Sequence, residues 1–439
     1  MILEERSLFL PLIQNNKNLI NYFHQEVMKF CNKINAIPIR FVVTETDEFG
    51  YNCELGVLTQ IEGEKKLFKE IRNKIKSDII FEFRKREYCN SDNFNAVVLI
   101  PTGIGAQLGG HSGDGGAMVR LLASACDTLI THPNAVNAAD INELPDNALY
   151  VEGSVISRLL MGTMGLRKVR SNRVMVVIDE HDNLRFQDLA VNAVSAARVA
   201  LGLNCSGIVK NQEGFTMNAL FAESGRAIGR VEKIERLMKI LEDNRDEYDA
   251  VAITSLIQVP EEYHLEYFTN NTMEVNPWGG VEAILTHAIS SLYGIPSAHS
   301  PMMDSTETLN TNVGIVDPRK SAETVSMTYL HCILKGLHRS PQLVELDKKM
   351  DSNGLIRVED VSCLVIPEGC IGLPTLAAIE QNIDVIIIKE NKNTMKNNLS
   401  EFPFRKDKIH IVENYWEAVG VMMALKTGVC PSTVRRPIK

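Results

Sequence analysis

The sequence lacks the features that would direct the chain to a membrane or to a nucleic acid. No apolar run approaches the roughly 20 residues that a membrane-spanning helix requires. The first six residues place two glutamates where a signal peptide carries positive charge. Acidic residues outnumber basic ones: the chain has 46 lysines and arginines and 55 aspartates and glutamates, for a net charge of -9. We therefore expect a cytoplasmic protein whose main partner is neither nucleic acid nor membrane.

Paired cysteines are also missing. The nine cysteines are an odd number and contain no Cys-x-x-Cys pair, so they indicate neither a disulfide framework nor a zinc finger. The histidines show no tight His-x-x-x-His spacing. We expect thiols that are mostly small buried side chains in a reducing compartment, and the spacing assigns no metal-binding residues.

Neither of the two common nucleotide-binding loops is present. The Gly-x-x-x-x-Gly-Lys-Ser/Thr phosphate loop does not occur. The dinucleotide pattern Gly-x-Gly-x-x-Gly starts at Gly103 and Gly105, but its third glycine comes late, at Gly109. The sequence therefore names no cofactor.

What the sequence does contain is the pattern of a globular α/β protein. The chain has 439 residues, of which 45% are hydrophobic and 23% charged, which predicts two or three domains with substantial cores. From residue 95 onward, apolar strand patterns alternate with helical patterns, which favours mainly parallel sheets covered by helices. We predict a small N-terminal α/β module at 1–92 and two facing α/β lobes at 93–260 and 261–439.

Several boundaries follow from the local patterns. Apolar residues at helical spacing predict helices over 10–34, 224–244, 279–293, 321–337 and 373–381. The segments 261–276 and 341–356 have the texture of connections between elements.

The most unusual stretch is residues 95–118. A short apolar strand leads into a loop with seven glycines before an apolar helix begins near residue 117. Glycine loses more backbone freedom on folding than any other residue, so this density predicts positive φ angles or a close backbone approach to a ligand. The following helix would offer its positive N-terminal end to a carboxylate or phosphate. The alternative is a structural turn that binds nothing.

Polar groups follow each predicted strand. In open parallel sheets ligands bind outside the carboxyl ends of the strands, so these groups are expected to meet at one edge. The strand ends at 97–105 and 363–372 also echo one another, since both run an apolar strand into Ile-Pro-x-Gly. They predict two related turns that face each other across a cleft.

Four residues are assigned acid-base roles, since imidazole titrates near neutral pH and a neighbouring carboxylate fixes its tautomer. They are His111, Asp114, His132 and His299, the last of which we expect in a turn between two prolines. The bland alternative for each is an ordinary hydrogen-bonded side chain. His287, in an apolar helix pattern, is expected to be buried and satisfied.

Substrate binding is predicted for residues of the strand-end loops and of the turn before residue 279. They are Thr102, Gly103, Gly105, Gly109, Gly110, Ser112, Gly113, Asn134, Glu152, Asn276, Trp278, Gly279, Gly280, Glu282, Glu368, Gly369 and Cys370. The helix end after Cys370 would favour a thiolate. Its position is similar to that of the second catalytic cysteine of aspartate/glutamate racemases, but Thr102 stands at the matching first turn. A structural thiol is therefore the alternative.

Five strings occur in order along the chain: Ile-Pro-Thr-Gly-Ile-Gly-Ala (100–106), Thr-His-Pro-Asn-Ala-Val-Asn (131–137), Tyr-Val-Glu-Gly (150–153), Asn-Pro-Trp-Gly-Gly-Val-Glu-Ala (276–283) and Lys-Glu-Asn (389–391). Together they resemble the domain-of-unknown-function 3326 family, over most of residues 95–430. The resemblance implies a cytosolic α/β protein and brings no established reaction.

These patterns favour an enzyme that acts on a small anionic metabolite, a carboxylate or a phosphate. Acid-base chemistry such as isomerisation, racemisation or elimination fits the residue types. Two alternatives stay open, a non-catalytic metabolite sensor that uses the same pocket and a metal-dependent hydrolase. A homo-oligomer is also left open.

Overall fold

The computed structural model describes residues 1–13, 18–60, 65–74, 79–138, 141–269, 275–310, 312–325, 329–346 and 354–438. Within these ranges the strands are β1 (Ile2–Pro11), β2 (Ala36–Thr46), β3 (Gly50–Thr59), β4 (Asn95–Val98), β5 (Thr128–Thr131), β6 (Ala148–Tyr150), β7 (Met164–Arg167), β8 (Val174–Asp179), β9 (Cys205–Asn211), β10 (Thr216–Phe221), β11 (Ala227–Glu232), β12 (Ala250–Gln258), β13 (Ser297–Met302), β14 (Gln342–Glu345), β15 (Leu355–Ile356), β16 (Val361–Pro367), β17 (Ile371–Gly372), β18 (Asp384–Ile388) and β19 (Ile409–Val412).

The α-helices of the same ranges are α1 (Leu19–Lys33), α2 (Lys65–Lys74), α3 (Gly116–Ala123), α4 (Pro133–Val136), α5 (Gly153–Leu160), α6 (Leu184–Leu201), α7 (Ile234–Asp243), α8 (Glu261–Thr269), α9 (Gly279–Tyr293), α10 (Thr306–Asn310), α11 (Ser321–Thr324), α12 (Leu330–Arg339), α13 (Leu373–Gln381) and α14 (Tyr415–Lys426). Short 3₁₀ helices occur at Ile79–Phe81, Pro318–Lys320, Val358–Asp360, Leu399–Glu401 and Pro431–Val434. Among the described helices, none combines the length and the apolar character of a membrane span.

One sheet has six strands and is parallel throughout, in the order β19-β18-β16-β4-β5-β6. Strands β4, β5 and β18 are buried along their whole length, as expected of apolar runs that are covered on both faces. Helices α3, α13 and α14 pack against its strands. The echoing segments supply β4 and β16, which lie side by side in this sheet.

The second large sheet has ten strands and is mixed. Its order is β17-β2-β3-β1-β11-β10-β12-β8-β9, with β13 also paired to β12. Neighbours from β17 to β10 are antiparallel, whereas β12 runs parallel to β8, β10 and β13. Helix α9 packs against this sheet. A three-stranded antiparallel sheet, β14-β7-β15, completes the α/β fold that the alternating patterns predict.

Strands from all three predicted segments share the ten-stranded sheet. β1 pairs with β3 over residues 2–11 and with β11, while β2 pairs with β17. The N-terminal strands are therefore continuous with strands from residues 93–260 and 261–439.

Several local predictions were wrong because tertiary pairing outweighs helical spacing. The start of the predicted helix at 10–34 is the end of β1, and α1 begins only at Leu19. The predicted helix at 224–244 divides into β11 and α7 at Lys233, whose φ is +60°. Gly229 in β11 lies so close to α9 that a Cβ there would stand 2.2 Å from a side-chain atom of Val281.

Other differences concern connections. The predicted connection at 261–276 contains helix α8, with 270–274 outside the described residues. The predicted helix at 321–337 is two helices, α11 and α12, and 326–328 lie outside the described residues. The segment 341–356 contributes β14 and β15, with 347–353 outside. His299 lies in strand β13 and not in a turn, because β13 pairs with β12 from Ser297 to Met302.

Candidate functional site

A cavity of about 850 Å³ lies where the carboxyl ends of strands from both large sheets meet. Thr102, His132 and Glu152 reach it from the loops after β4, β5 and β6 of the six-stranded sheet. Gln258 and Met302, the last residues of β12 and β13, reach it from the ten-stranded sheet. This is the edge at which parallel sheets bind ligands.

The cavity brings together about half of the residues predicted to form a site. Those that line it are Thr102, Ser112, His132, Asn134, Glu152, Asn276, Trp278, Gly279, Glu282 and His299. Those that do not line it are His111, Asp114, Gly103, Gly105, Gly109, Gly110, Gly113, Gly280, Glu368, Gly369 and Cys370. Most of the residues that do not line the cavity belong to the glycine-rich loop, whereas Glu368, Gly369 and Cys370 follow β16.

Glu152 and His287 form one carboxylate–imidazole pair in the cavity wall. The Nδ1 atom of His287 lies 2.5 Å from Oε1 of Glu152. Glu152 also caps α5, because its carboxylate accepts hydrogen bonds from the amide and hydroxyl of Ser154. Burial alone would raise the pKa of Glu152, but the His287 ring and the Ser154 donors hold this pKa below its usual value. The pair is therefore built to keep the carboxylate ionised.

The Cε1–Nε2 edge of the His287 ring is close to Gly153. A Cβ on Gly153 would stand 3.0 Å from Cε1 of His287 and 3.4 Å from Nε2. Gly153 and His287 both line the cavity. The carboxylate lies on the Nδ1 side of the ring, although Nδ1 makes no hydrogen bond of regular geometry among the described residues. We assign the proton of the neutral ring to Nδ1, which leaves a lone pair on Nε2. His287 was expected to be buried and satisfied; its side chain is 15% exposed, contacts Glu152 and forms part of the cavity wall.

His132 is a second imidazole of the wall, held in a neutral form. Its Nε2 accepts a hydrogen bond from the amide of Ile100 at 3.0 Å, so the proton of the neutral ring is on Nδ1. Burial lowers the pKa of His132 to about 4, against the opposing effect of the Glu152 charge. At neutral pH the ring is a hydrogen-bond donor through Nδ1 and carries no charge.

His299 joins a second carboxylate to a serine. Its Nδ1 lies 2.9 Å from Oε1 of Glu282, and its Nε2 lies 2.8 Å from Oγ of Ser255. The His299 side chain is fully buried, whereas the Glu282 side chain is 27% exposed. Since both ring nitrogens are engaged, Glu282 is the member of this pair that can exchange a proton with a ligand.

A third cluster surrounds Glu323. The hydroxyl of Tyr267 donates to Oε1 of Glu323 at 2.7 Å, and the amide of Ser112 donates to the same atom at 2.9 Å. Because the Tyr267 proton goes to Glu323, its oxygen accepts from Nδ1 of His111 at 2.9 Å. Burial raises the pKa of Glu323, although these hydrogen bonds oppose the shift. His111 is thus connected to the cavity wall through Tyr267 and Glu323.

Aromatic side chains form one side of the cavity. His264, Phe268 and Trp278 line it, and Tyr267 packs behind them. The rings of Tyr267 and Trp278 meet edge to face with centroids 5.3 Å apart, and those of His264 and Trp278 do so at 5.5 Å. Such a wall offers apolar contact to a small organic ligand next to the carboxylates.

The amides of the glycine-rich loop are largely used within the protein. Asp114 Oδ1 accepts from the amides of Gly109 at 2.9 Å and His111 at 3.3 Å. Burial raises the pKa of Asp114 to about 7 against these two hydrogen bonds. Together with the Ser112 contact to Glu323, these hydrogen bonds show that amides of this loop donate to carboxyl groups of the chain itself.

The glycines of the loop are explained by backbone geometry and packing. Gly103, Gly105, Gly109 and Gly113 have φ between +60° and +83°, where side chains are strained. A Cβ on Gly110 would stand 2.1 Å from the carbonyl oxygen of Ala106. The sequence predicts that the backbone of this loop comes close to a ligand. At these positions the backbone comes close to other atoms of the protein.

The turn before α9 is held by side-chain contacts and by packing. Asn276 Oδ1 accepts from the amides of Trp278 at 3.0 Å and Gly279 at 3.2 Å, and a Cβ on Gly280 would stand 2.3 Å from the oxygen of Ala227. The turn before α9 thus both lines the cavity and packs on β11.

Glu368, Gly369 and Cys370 lie outside the large cavity. Glu368 pairs with Lys392 at 3.4 Å, and the carbonyl of Gly369 accepts from the side-chain amide of Asn397 at 2.8 Å. Burial raises the pKa of the Cys370 thiol, so the thiolate that the helix end would favour is opposed. Of the two readings of this cysteine, the surroundings fit the structural thiol.

In the part of the chain that the structure describes, no group of three or more His, Cys, Asp or Glu side chains is placed to hold a metal ion. The nine cysteines are free thiols, seven of them buried.

Sequence reasoning missed four wall or near-wall residues, His287, Glu323, Tyr267 and His264. Glu323 lies in the segment predicted to be a helix (321–337). Tyr267 lies in the segment predicted to be a connection (261–276). The spacing of Glu282 and His287 on α9 gave no signal, because five residues turn an α-helix by about 500° and leave the two side chains about 140° apart.

Comparison with known proteins places the chain among uncharacterised relatives. A Synechococcus sp. protein named as an uncharacterised lipoprotein is 29% identical over 346 residues, which cover 78% of this chain and 93% of that protein. None of the solved structures matches the chain. The sequence profile described as "Protein of unknown function (DUF3326)" matches residues 95–435. The chain therefore belongs to the DUF3326 family, as the five ordered strings predict.

Proposed function

We propose that this protein is an enzyme that transfers a proton on a small anionic metabolite bound in the large cavity. The observation that carries the proposal is that two carboxylate–imidazole pairs, Glu152–His287 and Glu282–His299, border one cavity of about 850 Å³. A cavity of this size suits a small organic molecule. Isomerisation, racemisation and elimination next to a carboxylate all begin with such a transfer.

His287 is the base in this proposal. Its Nε2 takes the proton from the carbon atom next to the carbonyl or carboxylate group of the substrate. The Glu152 carboxylate, 2.5 Å from Nδ1, stabilises the imidazolium ion that results. Because Glu152 is buried and ionised, this stabilisation acts in a site of low dielectric constant.

His132 supplies the complementary electrophile. When the C–H bond breaks, its electron pair moves to the substrate oxygen, which gains negative charge. The Nδ1–H group of neutral His132 donates a hydrogen bond to that oxygen, and the pKa near 4 keeps the ring neutral at physiological pH. A neutral imidazole can serve this role in enolising enzymes.

Glu282 and Glu323 are the groups that can return a proton. Both line the cavity, and burial raises the pKa of Glu323, which favours a protonated carboxyl group. The Ser255–His299 contact holds Glu282 from behind. His111 and Asp114 act as positioning residues for the loop and for Tyr267, because neither lines the cavity.

The test is solvent exchange. Purified protein is incubated in D₂O with a panel of small 2-oxo, 2-hydroxy and 2-amino acids and phosphorylated acids, and NMR follows the loss of substrate C–H signals. We expect at least one compound to exchange, and we expect Glu152→Gln to slow that exchange by on the order of 10²-fold or more. Panel members that bind to the wild type with no exchange and no chemical change would contradict the proposal.

That contradicting result would instead support the sensor. A sensor returns its ligand unchanged, so the two functions are separated by the fate of the bound compound. The arrangement of side chains in the described residues does not favour the metal-dependent hydrolase over these two.

Location and assembly belong to the same proposal. We expect a cytoplasmic enzyme, whereas the name of the Synechococcus relative would suggest a lipid-anchored one for that protein. Fractionation of cells that express the native gene decides between them, since an anchored protein sediments with membranes. Light scattering of the purified chain then tests whether it forms a homo-oligomer.

A further inference from the structure

A second, smaller cavity lies directly behind the wall of the first. It measures about 90 Å³ and shares Thr102, His132, Gly153 and His287 with the large cavity. A water molecule occupies about 30 Å³ in the liquid, so this space is large enough for a group of several heavy atoms. It lies at the carboxyl ends of β4 and β16 and next to the first turns of α5 and α13.

Arg158 lines this small cavity with two guanidinium nitrogens that have no hydrogen-bond partner among the described residues. The residue lies in α5, lines the small cavity and is only 3% exposed. Its Nη2 donates to the carbonyl oxygen of Ser290 at 2.9 Å, but Nε and Nη1 have no hydrogen-bond partner among the described residues. The nearby carboxylate of Glu152 attracts Arg158 at longer range while its own oxygens contact Ser154 and His287. A buried guanidinium group that leaves two of its three nitrogens without hydrogen-bond partners is costly, which points to a ligand.

Two further groups in the same wall have donors to offer. The hydroxyl of Ser291, 5% exposed, finds no hydrogen-bond partner within the described part of the chain. Arg40 lines the small cavity, and its Nη1 lies 3.5 Å from Glu5 Oε1 without forming a hydrogen bond. Positive charge and unused donors therefore converge on one small cavity, whose remaining lining is mostly apolar.

We propose that the small cavity binds an oxyanion group, a carboxylate or a phosphate, through Arg158 and Ser291, with Arg40 adding positive charge. Arginine is well suited to such groups, because its planar guanidinium offers several N–H donors in a fixed geometry. The two adjoining helix N-termini add to the positive potential. A bound oxyanion would also neutralise the buried charge of Arg158, which lies beside the wall of the large cavity.

The oxyanion has two possible sources. In the first, it is the charged end of the molecule whose reacting carbon lies in the large cavity, and this reading rests on the proposed function. The shared residues His132 and His287 would then stand between the anchored charge and the reacting atoms. In the second, it is a free anion such as inorganic phosphate, which needs no reaction in the large cavity.

The experiment measures the thermal midpoint of the full-length protein in a buffer free of oxyanions, with added phosphate, sulfate or acetate. A ligand that binds only the folded state raises the midpoint, so we expect a rise of a few degrees with at least one of them. Arg158→Met should abolish this rise, and Ser291→Ala should weaken binding by roughly fivefold. Methionine keeps an unbranched apolar stem and removes the buried charge, so the variant is expected to fold.

The outcomes separate this proposal from the proposed function. His287→Asn should keep the phosphate response, because it removes no donor assigned to the oxyanion. An equal rise in wild type and Arg158→Met, or no rise with any of the three anions, overturns the small-cavity site whatever the enzyme activity. Competition between phosphate and an exchanging substrate assigns the pocket to the charged end of that substrate, and simultaneous binding assigns it to a free anion.

Discussion

The Oγ atom of Ser255 lies 2.8 Å from Nε2 of His299, which in turn reaches Glu282 at 2.9 Å through Nδ1. These distances are those of a serine nucleophile with its base and orienting carboxylate. Ser255, however, is fully buried in β12, outside the cavity lining, and also contacts the sulfur of Met217 at 3.0 Å. The serine therefore faces the core, and the chain of contacts supports Glu282 from the protein interior.

The first prediction follows from that burial. Ser255→Ala should lower turnover by only about fivefold, the effect of losing one neutral hydrogen bond of about 1 kcal/mol. A fluorophosphonate reagent should modify no serine in the native protein. Glu282→Gln, which alters a group in the cavity, should cost considerably more. Labelling of Ser255, or equal losses in the two variants, would support a serine hydrolase instead.

The second prediction concerns Asp114, whose pKa is raised to about 7 by burial. Between the ordinary value of 3.8 and about 7, the unfolded chain loses this proton while the folded chain keeps it, so stability falls as pH rises through that window. An asparagine at this position would not titrate and would still accept from the two amides. The variant Asp114→Asn should therefore gain stability relative to wild type as pH rises from about 4 to 7, by up to about 4 kcal/mol, and then level off.

Denaturant unfolding at pH 5 and pH 8 checks this difference. His132, whose folded pKa of about 4 is depressed, titrates in both proteins and cancels from the comparison. A stability difference that is the same at both pH values would show that Asp114 is ionised in the fold.

The third prediction compares two glycines of the same loop. Gly110→Ala would place a methyl group 2.1 Å from the Ala106 oxygen, and we expect a loss of about 1–3 kcal/mol in unfolding free energy. Gly116→Ala is the matched control, because nothing lies within 4 Å of its added Cβ and alanine favours helix α3. Urea titrations of both variants measure the effect, and equal stabilities would refute the packing account of the loop.

The fourth prediction uses the two tryptophans of the chain. Trp278 lines the cavity, whereas Trp416 is 75% exposed on α14. In the variant Trp416→Phe, a ligand in the cavity should change the emission of the remaining tryptophan. The variant Trp278→Phe should show no such change with the same ligand, and a response of equal size there would place the ligand elsewhere.

The sequence predicted the α/β class, helices α9 and α13 residue for residue, and the strand ends that carry Thr102, His132 and Glu152. These succeed because they depend on local signals, namely apolar runs, glycine or proline at helix starts, and polar residues after strands. The mixed ten-stranded sheet was not foreseen, because the pairing of β1 with β11 joins residues more than 200 positions apart.

The site illustrates the same limit. Helical spacing alone could not tell that His287 meets Glu152, since the contact depends on how α9 packs against α5. The glycine loop was recognised as exceptional, but the carboxylate that receives the Ser112 amide belongs to Glu323, in a segment far along the chain. Chemistry that is assembled by tertiary packing has no signature in one stretch of sequence.

The most direct measurement is the rate of solvent-deuterium exchange into a substrate found with the acid panel, compared in three proteins. His287→Asn removes the proposed base, while His410→Asn disrupts a matched imidazole–carboxylate pair, 2.9 Å from Asp384, on edge strand β19 away from both cavities. We predict a loss on the order of 10²- to 10⁴-fold for His287→Asn and a rate close to wild type for His410→Asn. Equal rates in wild type and His287→Asn would contradict the assignment of His287 as the base.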